Sequence, residues 1–153
     1  QDIIDDRMLN LSKKGYRQIV IYDECWSFLN TPVAATMIDS QYRTARKYGN
    51  TILSISQSIN DFLSCSCSSG IIENSTVKFI LQLGANVDRL ADIHINEKEQ
   101  ESVTNLQRVD KKFNEIFVKL TNEGSFVWKL TPNKAEIDTF SRDFQSMQVA
   151  EAL

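Results

Sequence analysis

A single histidine and three cysteines leave this 153-residue sequence poor in soft metal ligands. Cys65 and Cys67 stand two apart, with Cys25 and His94 far from both. That is not the spacing of a zinc site. Three cysteines cannot build a disulfide framework, so reduced thiols are expected, as in cytoplasmic proteins. His94 is expected at the surface. Five glycines and two prolines are dispersed, which excludes a low-complexity tract or a long flexible linker. No apolar run approaches the roughly 18 residues of a membrane-spanning helix. The acidic stretch 1–6 lacks signal-peptide architecture, and with no initiator methionine the chain reads as a fragment. Basic residues number 17 against 20 acidic ones, a net charge of −3, so no global positive field recruits nucleic acid. What remains is ordinary: 42% hydrophobic and 24% charged residues, enough for about one domain with a real core.

The informative stretch is Ile19–Val20–Ile21–Tyr22–Asp23–Glu24–Cys25. An apolar run rich in β-branched residues predicts a strand buried on both faces, as in parallel sheets. Acids do not continue such a strand, because an unpaired buried carboxylate is costly. Asp23 and Glu24 therefore belong at its carboxyl end, where open α/β sheets bind ligands. An apolar strand ending in Asp-Glu is the Walker B pattern of nucleoside triphosphatases. There the first acid holds Mg2+ and the second polarises the attacking water. A strand followed by a solvated acidic loop is the plainer alternative.

Around it the chain alternates. A helix over Ile3–Lys14 precedes the strand Arg17–Tyr22. Trp26, Phe28 and Leu29 form one apolar turn. Thr31–Pro32 opens a helix reaching Tyr48, with Ala34, Met37, Ile38, Tyr42, Ala45 and Tyr48 on one stripe. Arg43, Arg46 and Lys47 crowd its last turns, where cations also suit the helix dipole. A second buried strand, Thr51–Ser56, ends on Gln57. A short helix (Ser58–Leu63), a Ser/Cys-rich loop (Ser64–Gly70), an amphipathic stretch (Ile71–Ser75) and a third strand (Val77–Leu83) follow. This order predicts one parallel sheet with right-handed crossovers. Beyond Gly84, helices are expected over Asn86–Ile93 and from Asn96, with Glu99 completing a capping box. Glu115–Leu120 and Ser125–Leu130 read as a hairpin joined through Asn122–Glu123–Gly124. Thr131–Pro132 opens the last segment, and Asp143–Leu153 reads as a final helix. Residues 1–84 would thus carry the Walker B core, and 85–153 a helical segment, hairpin and terminal helix.

IVIYDECWSFL, QYRTARKYGN, ILSISQSINDFL and IIENSTVKFILQ together resemble the carboxyl-terminal ATPase domain of the TraC/VirB-four family. These are ATPases of conjugative and other type IV secretion systems, within the larger HerA/FtsK-like group. The resemblance covers roughly residues 16–82. It implies an α/β, RecA-like P-loop NTPase core, ATP and Mg2+ as cofactors, and a hexamer on the cytoplasmic face of the bacterial inner membrane. Partners would be other secretion components, and the work pilus assembly and substrate transport. It implies Asp23 as the Mg2+ residue, Glu24 as water activator, Gln57 as γ-phosphate sensor and Arg46 as arginine finger, with Arg43 the second choice. One departure is large: no Gly-x-x-x-x-Gly-Lys-[Ser/Thr] loop occurs. The chain resembles a motor's second half, expected to be incomplete on its amino-terminal side. Cys25 also replaces a small residue usual in the family. Two other readings stay open: a non-catalytic interaction module of the secretion machinery, and part of a HerA/FtsK-like DNA translocase.

Overall fold

The computed structural model describes residues 3–83 and 87–140. Helix α1 (Ile3–Lys13) buries Met8 and ends at Gly15, whose φ of +81° suits glycine. Strands β1 (Ile19–Tyr22) and β2 (Thr51–Ser54) pair in parallel, with Ile19 opposite Thr51 and Tyr22 opposite Ser54. The crossover between them carries α2 (Trp26–Leu29) and α3 (Pro32–Thr44). The helix expected to reach Tyr48 tightens into a 3-10 turn, Ala45–Tyr48, stopped by Gly49 at φ +68°. Thr31 stands at the N-cap before Pro32 as expected, but its side chain makes no capping hydrogen bond.

The buried face of α3 is Ala35, Ile38 and Gln41, continued by Ala45. Ala34, Met37, Tyr42 and Tyr48, placed on that stripe from periodicity, are only half-buried. Gln41 is 1% exposed. The Tyr22 hydroxyl donates to its Oε1 at 2.5 Å, so a polar side chain tolerates burial. Tyr22, Cys25, Leu29, Ala35, Ile38, Cys67 and Ile71 form one apolar core. It lies under one face of the parallel pair. The other face is open: Ile19 is 70% and Ile21 58% exposed. The expectation of strands buried on both faces is thus corrected. No described element covers the second face.

The loop expected over Ser64–Gly70 is shorter, because α5 (Ser68–Asn74) starts inside it after α4 (Ile59–Leu63). Gly70 is buried where α5 meets α3. A Cβ there would overlap the Asp39 carboxylate, so close packing rather than chain breaking explains the glycine.

Strand β3 (Val77–Ile80) is the larger correction. It does not join the parallel sheet. It pairs antiparallel with β5 (Phe113–Leu120), Val77 opposite Leu120 and Ile80 opposite Phe117. β4 (Arg108–Val109) and β6 (Gly124–Leu130) also pair antiparallel with β5. The β5–β6 hairpin is as expected, with Gly124 at φ +104°. The stretch Val87–Ile93 is a 3-10 helix rather than an α-helix; Asn86 lies outside the described residues. Helix α6 (Glu97–Thr104) opens on the expected Asn96/Glu99 capping box. Helix α7 (Lys134–Phe140) follows, preceded by reciprocal bonds between Asn133 and Glu136. The final helix expected over Asp143–Leu153 lies outside the described residues.

A second core joins Ile59, Ile72 and Ile80 to Leu90, Ile93, Ile95, Val103, Leu106 and Phe117. Lys119 of β5 ties α6 to the sheet through Glu99, at 2.5 Å. Among the described residues β2 and β3 each pair along one edge only. Between them runs a groove of about 400 Å³, lined by apolar side chains including Leu53, Ile55, Ile72, Val77, Phe79 and Leu81.

Candidate functional site

The site grows from the carboxyl ends of β1 and β2. Pairing continues past both strands: the Ile55 N–H donates to the Tyr22 carbonyl at 2.9 Å, and the Cys25 N–H to the Ile55 carbonyl at 2.8 Å. These two bonds bring 23–25 against 55–57. Tyr22 and Cys25 are buried anchors, and Tyr22 meets Phe28 edge-on at 5.7 Å. The acids between the anchors face solvent. Glu24 has φ +50°, a left-handed conformation uncommon for a residue with a side chain. The Asp23 Oδ1 accepts from the Glu24 N–H at 3.0 Å within this turn.

That geometry brings Glu24 and Gln57 together. The Gln57 Nε2 donates to Glu24 Oε1 at 2.7 Å across 33 residues of sequence. The Trp26 Nε1 donates to the other carboxylate oxygen, Oε2, also at 2.7 Å. Sequence reading placed Trp26 in an apolar patch and in the stretch IVIYDECWSFL that carries the family resemblance, and gave it no role at the site. Its indole two residues after the acid is the signal that a donor stood within reach.

The arginines lie elsewhere. Helix α3 has 13 residues, roughly 20 Å at about 1.5 Å each, and returns the chain from the end of β1 to the start of β2. Arg46, in the 3-10 turn before β2, is exposed and near the opposite edge from Glu24. Arg43 is held by Asp39 at 2.8 Å, an i,i+4 ion pair beside Gly70. Asp39 Oδ1 has no hydrogen-bond partner. So the structure joins Glu24 to Gln57, with Asp23 adjacent, and brings neither arginine to them within the chain.

The cysteines are free thiols. Cys65 and Cys67 sulfurs are 3.0 Å apart. Burial first, then the Cys65 hydrogen bond and charge, push the Cys67 thiol up to about 12. Burial likewise raises Cys25. Both favour the protonated, unreactive form. His94 is exposed, at φ +66°.

A carboxylate such as Asp23 is the hard oxygen ligand Mg2+ takes. That ion keeps several waters and is held by one or two carboxylates plus phosphate oxygens. Among the described residues no group of three or more His, Cys, Asp and Glu converges on one point, so Asp23 fits Mg2+ only in that water-rich manner. A triphosphate fits less well, because these residues contain no glycine-rich phosphate cradle.

A model of the TraG P-loop domain family matches residues 2–152. The type IV secretion system protein CagE of Helicobacter pylori (strain ATCC 700392 / 26695) is 34% identical over 94 residues, 59% of this chain and 9% of CagE. The solved structure of VirB4 of Thermoanaerobacter pseudethanolicus superposes with a TM-score of 0.64 at 20% identity, over 88% of this chain and 36% of that one. At that identity the likeness is one of fold, and the fold is RecA-like α/β as expected. The chain spans a minor part of both relatives. It belongs to the TraG P-loop domain family, in keeping with the resemblance of its motifs to the TraC/VirB4 type IV secretion ATPases.

Proposed function

We propose that these residues form the Walker B and sensor half of an ATPase that powers type IV secretion, working as a hexamer at the cytoplasmic face of the bacterial inner membrane. Other secretion components are its partners. Residues 1–84 carry the hydrolytic groups, and residues 85–153 a helical segment and the β5–β6 hairpin. Asp23 holds Mg2+, which supplies charge neutralisation at the phosphates. Glu24 accepts a hydrogen bond from the attacking water and orients it. Gln57 bridges Glu24 to the position of the terminal phosphate. Arg46 acts on a neighbouring subunit's site, which agrees with its place away from Glu24. Arg43, already paired with Asp39, is the second choice.

The observation that carries this reading is the 2.7 Å bond between Gln57 and Glu24. Two residues read separately as sensor and activator meet at the ends of adjacent parallel strands, where such sheets bind ligands. A phosphate-binding loop is a strand–loop–helix unit, and the groove between β2 and β3 offers two open strand edges for one. The chain alone, without that loop, neither binds ATP tightly nor hydrolyses it. Two measurements test this. Calorimetry on residues 1–153 should detect no micromolar ATP binding. In a full-length ATPase carrying these residues, Glu24→Gln should cut turnover roughly 10²–10⁴-fold with nucleotide binding intact. Single-turnover hydrolysis equal to wild type would remove Glu24 from the role.

A further inference from the structure

Trp26 is the feature of this site that the hydrolytic reading leaves unused. It opens α2, directly after the buried anchor Cys25, and is 45% exposed. A half-exposed indole contributes little as core, yet its N–H points back two residues to Glu24 Oε2 at 2.7 Å. Glu24 needs such help. It lies on a left-handed residue at a strand end, faces solvent, and its side chain has rotatable bonds that no packing restrains. Gln57 fixes only Oε1. One hydrogen bond leaves the carboxylate free to pivot about that oxygen. A second donor on the other oxygen fixes the carboxylate plane.

We propose that Trp26 is a positioning residue for Glu24. Its indole N–H and the Gln57 amide clamp one carboxylate oxygen each. They set the plane in which the remaining lone pairs meet a water. Trp26 touches neither water nor nucleotide; it acts through Glu24. The indole suits this task because it is donor-only and cannot compete as a base. The bond is short and involves an ionised acceptor, the stronger class of hydrogen bond. Its geometry is rigid, since Cys25 is held to Ile55 and α2 starts at once. The proposal rests on the reading of Glu24 as water activator, and its test separates the two.

The first measurement needs no activity. In residues 1–153 the two tryptophan indole N–H resonances are assigned by Trp128→Phe. The Trp26 resonance should move upfield in Glu24→Ala, while that of Trp128 stays. An unmoved Trp26 resonance overturns the clamp. The second uses a full-length ATPase carrying these residues. Trp26→Phe should lower kcat about tenfold to a hundredfold, the scale of misplacing a reacting group by an ångström, with KM for ATP unchanged. Replacing Trp26 by its benzothiophene analogue keeps ring size and loses only the N–H. It should show the same loss, whereas full activity in that analogue shows the ring is mere packing and overturns the proposal. Failure of the function reading looks different: Glu24→Gln would hydrolyse normally although the Trp26 resonance still responds to Glu24→Ala.

Discussion

The side-chain amide of Gln57 lies 2.7 Å from Glu24 Oε1, joining the ends of two parallel strands. The bond has a direction: the amide donates and the carboxylate accepts. Gln57→Glu would set two carboxylates in contact, and like charges this close do not both ionise. In a full-length ATPase carrying these residues, Gln57→Glu should reduce kcat more than Gln57→Ala does. Steady-state kinetics on the pair of variants checks this; equal losses would show that the contact carries no functional charge relation.

Arg46, at the far end of the crossover from Glu24, has a different expected signature. A finger acting on the neighbouring subunit is worth on the order of 10³–10⁵ in rate. Arg46→Ala subunits mixed with Glu24→Gln subunits should regain part of the activity, because some interfaces then combine an intact Glu24 with an intact Arg46. Activity that never exceeds that of the two parents would leave Arg46 as favourable charge at a helix end.

The edges of β2 and β3 that pair with no other described strand predict the behaviour of the chain in solution. Leu53 and Ile55 on one side, and Val77, Phe79 and Leu81 on the other, are exposed along the groove. Unpaired apolar strand edges recruit other chains. Residues 1–153 should self-associate with rising concentration, and amides of Thr51–Ser54 should exchange faster in the monomer than in the associated form. Light scattering across a concentration series, with hydrogen exchange, is the check. A monomer at all concentrations, slow in exchange along both strands, would contradict it.

Glu99 and Lys119 supply a stability test away from the site. Their side chains are 9% and 17% exposed. Burial raises the Glu99 carboxyl, but hydrogen bonds from Lys119, the Asn96 backbone and Ser125, with the Lys119 charge, outweigh it and hold the group below its ordinary value of 4.5. A depressed carboxyl stabilises the fold fully above the unfolded value. That contribution is lost as pH falls from about 4.5 through the folded value. Lys119→Met should cost about 1–2 kcal/mol at neutral pH, by removing the charged partner of a carboxylate that keeps only its Asn96 and Ser125 hydrogen bonds. Urea denaturation at neutral and acid pH should show this penalty shrinking on acidification. A penalty that stays constant would mean that Glu99 does not titrate with folding.

Local features were legible because they depend on neighbours in sequence. The strands at Ile19–Tyr22 and Thr51–Ser54, the Asn96/Glu99 capping box and the hairpin closed at Gly124 follow from periodicity and turn chemistry. Helix α7 has the same kind of signal in Asn133 and Glu136, three apart. Gly70 misled because a glycine in a serine-rich stretch reads as a breaker. Only the approach of Asp39, from another helix, explains it.

The sequence by itself determined the order of elements as far as β3, the Asp-Glu at one strand end and Gln57 at the next, and the lack of a phosphate loop. Tertiary structure decided what pairs with what. A strand's apolar pattern specifies that it pairs but not with which partner, so β3 could be read into the parallel sheet while its backbone bonds went to β5. Burial of Gln41 depended on a hydroxyl 19 residues away on another element. The clamp on Glu24 depended on a left-handed turn that swings the carboxylate between Trp26 and Gln57. Hydrogen bonds are short-range and directional, so distances of a few tenths of an ångström, set by packing remote in sequence, decide whether they form.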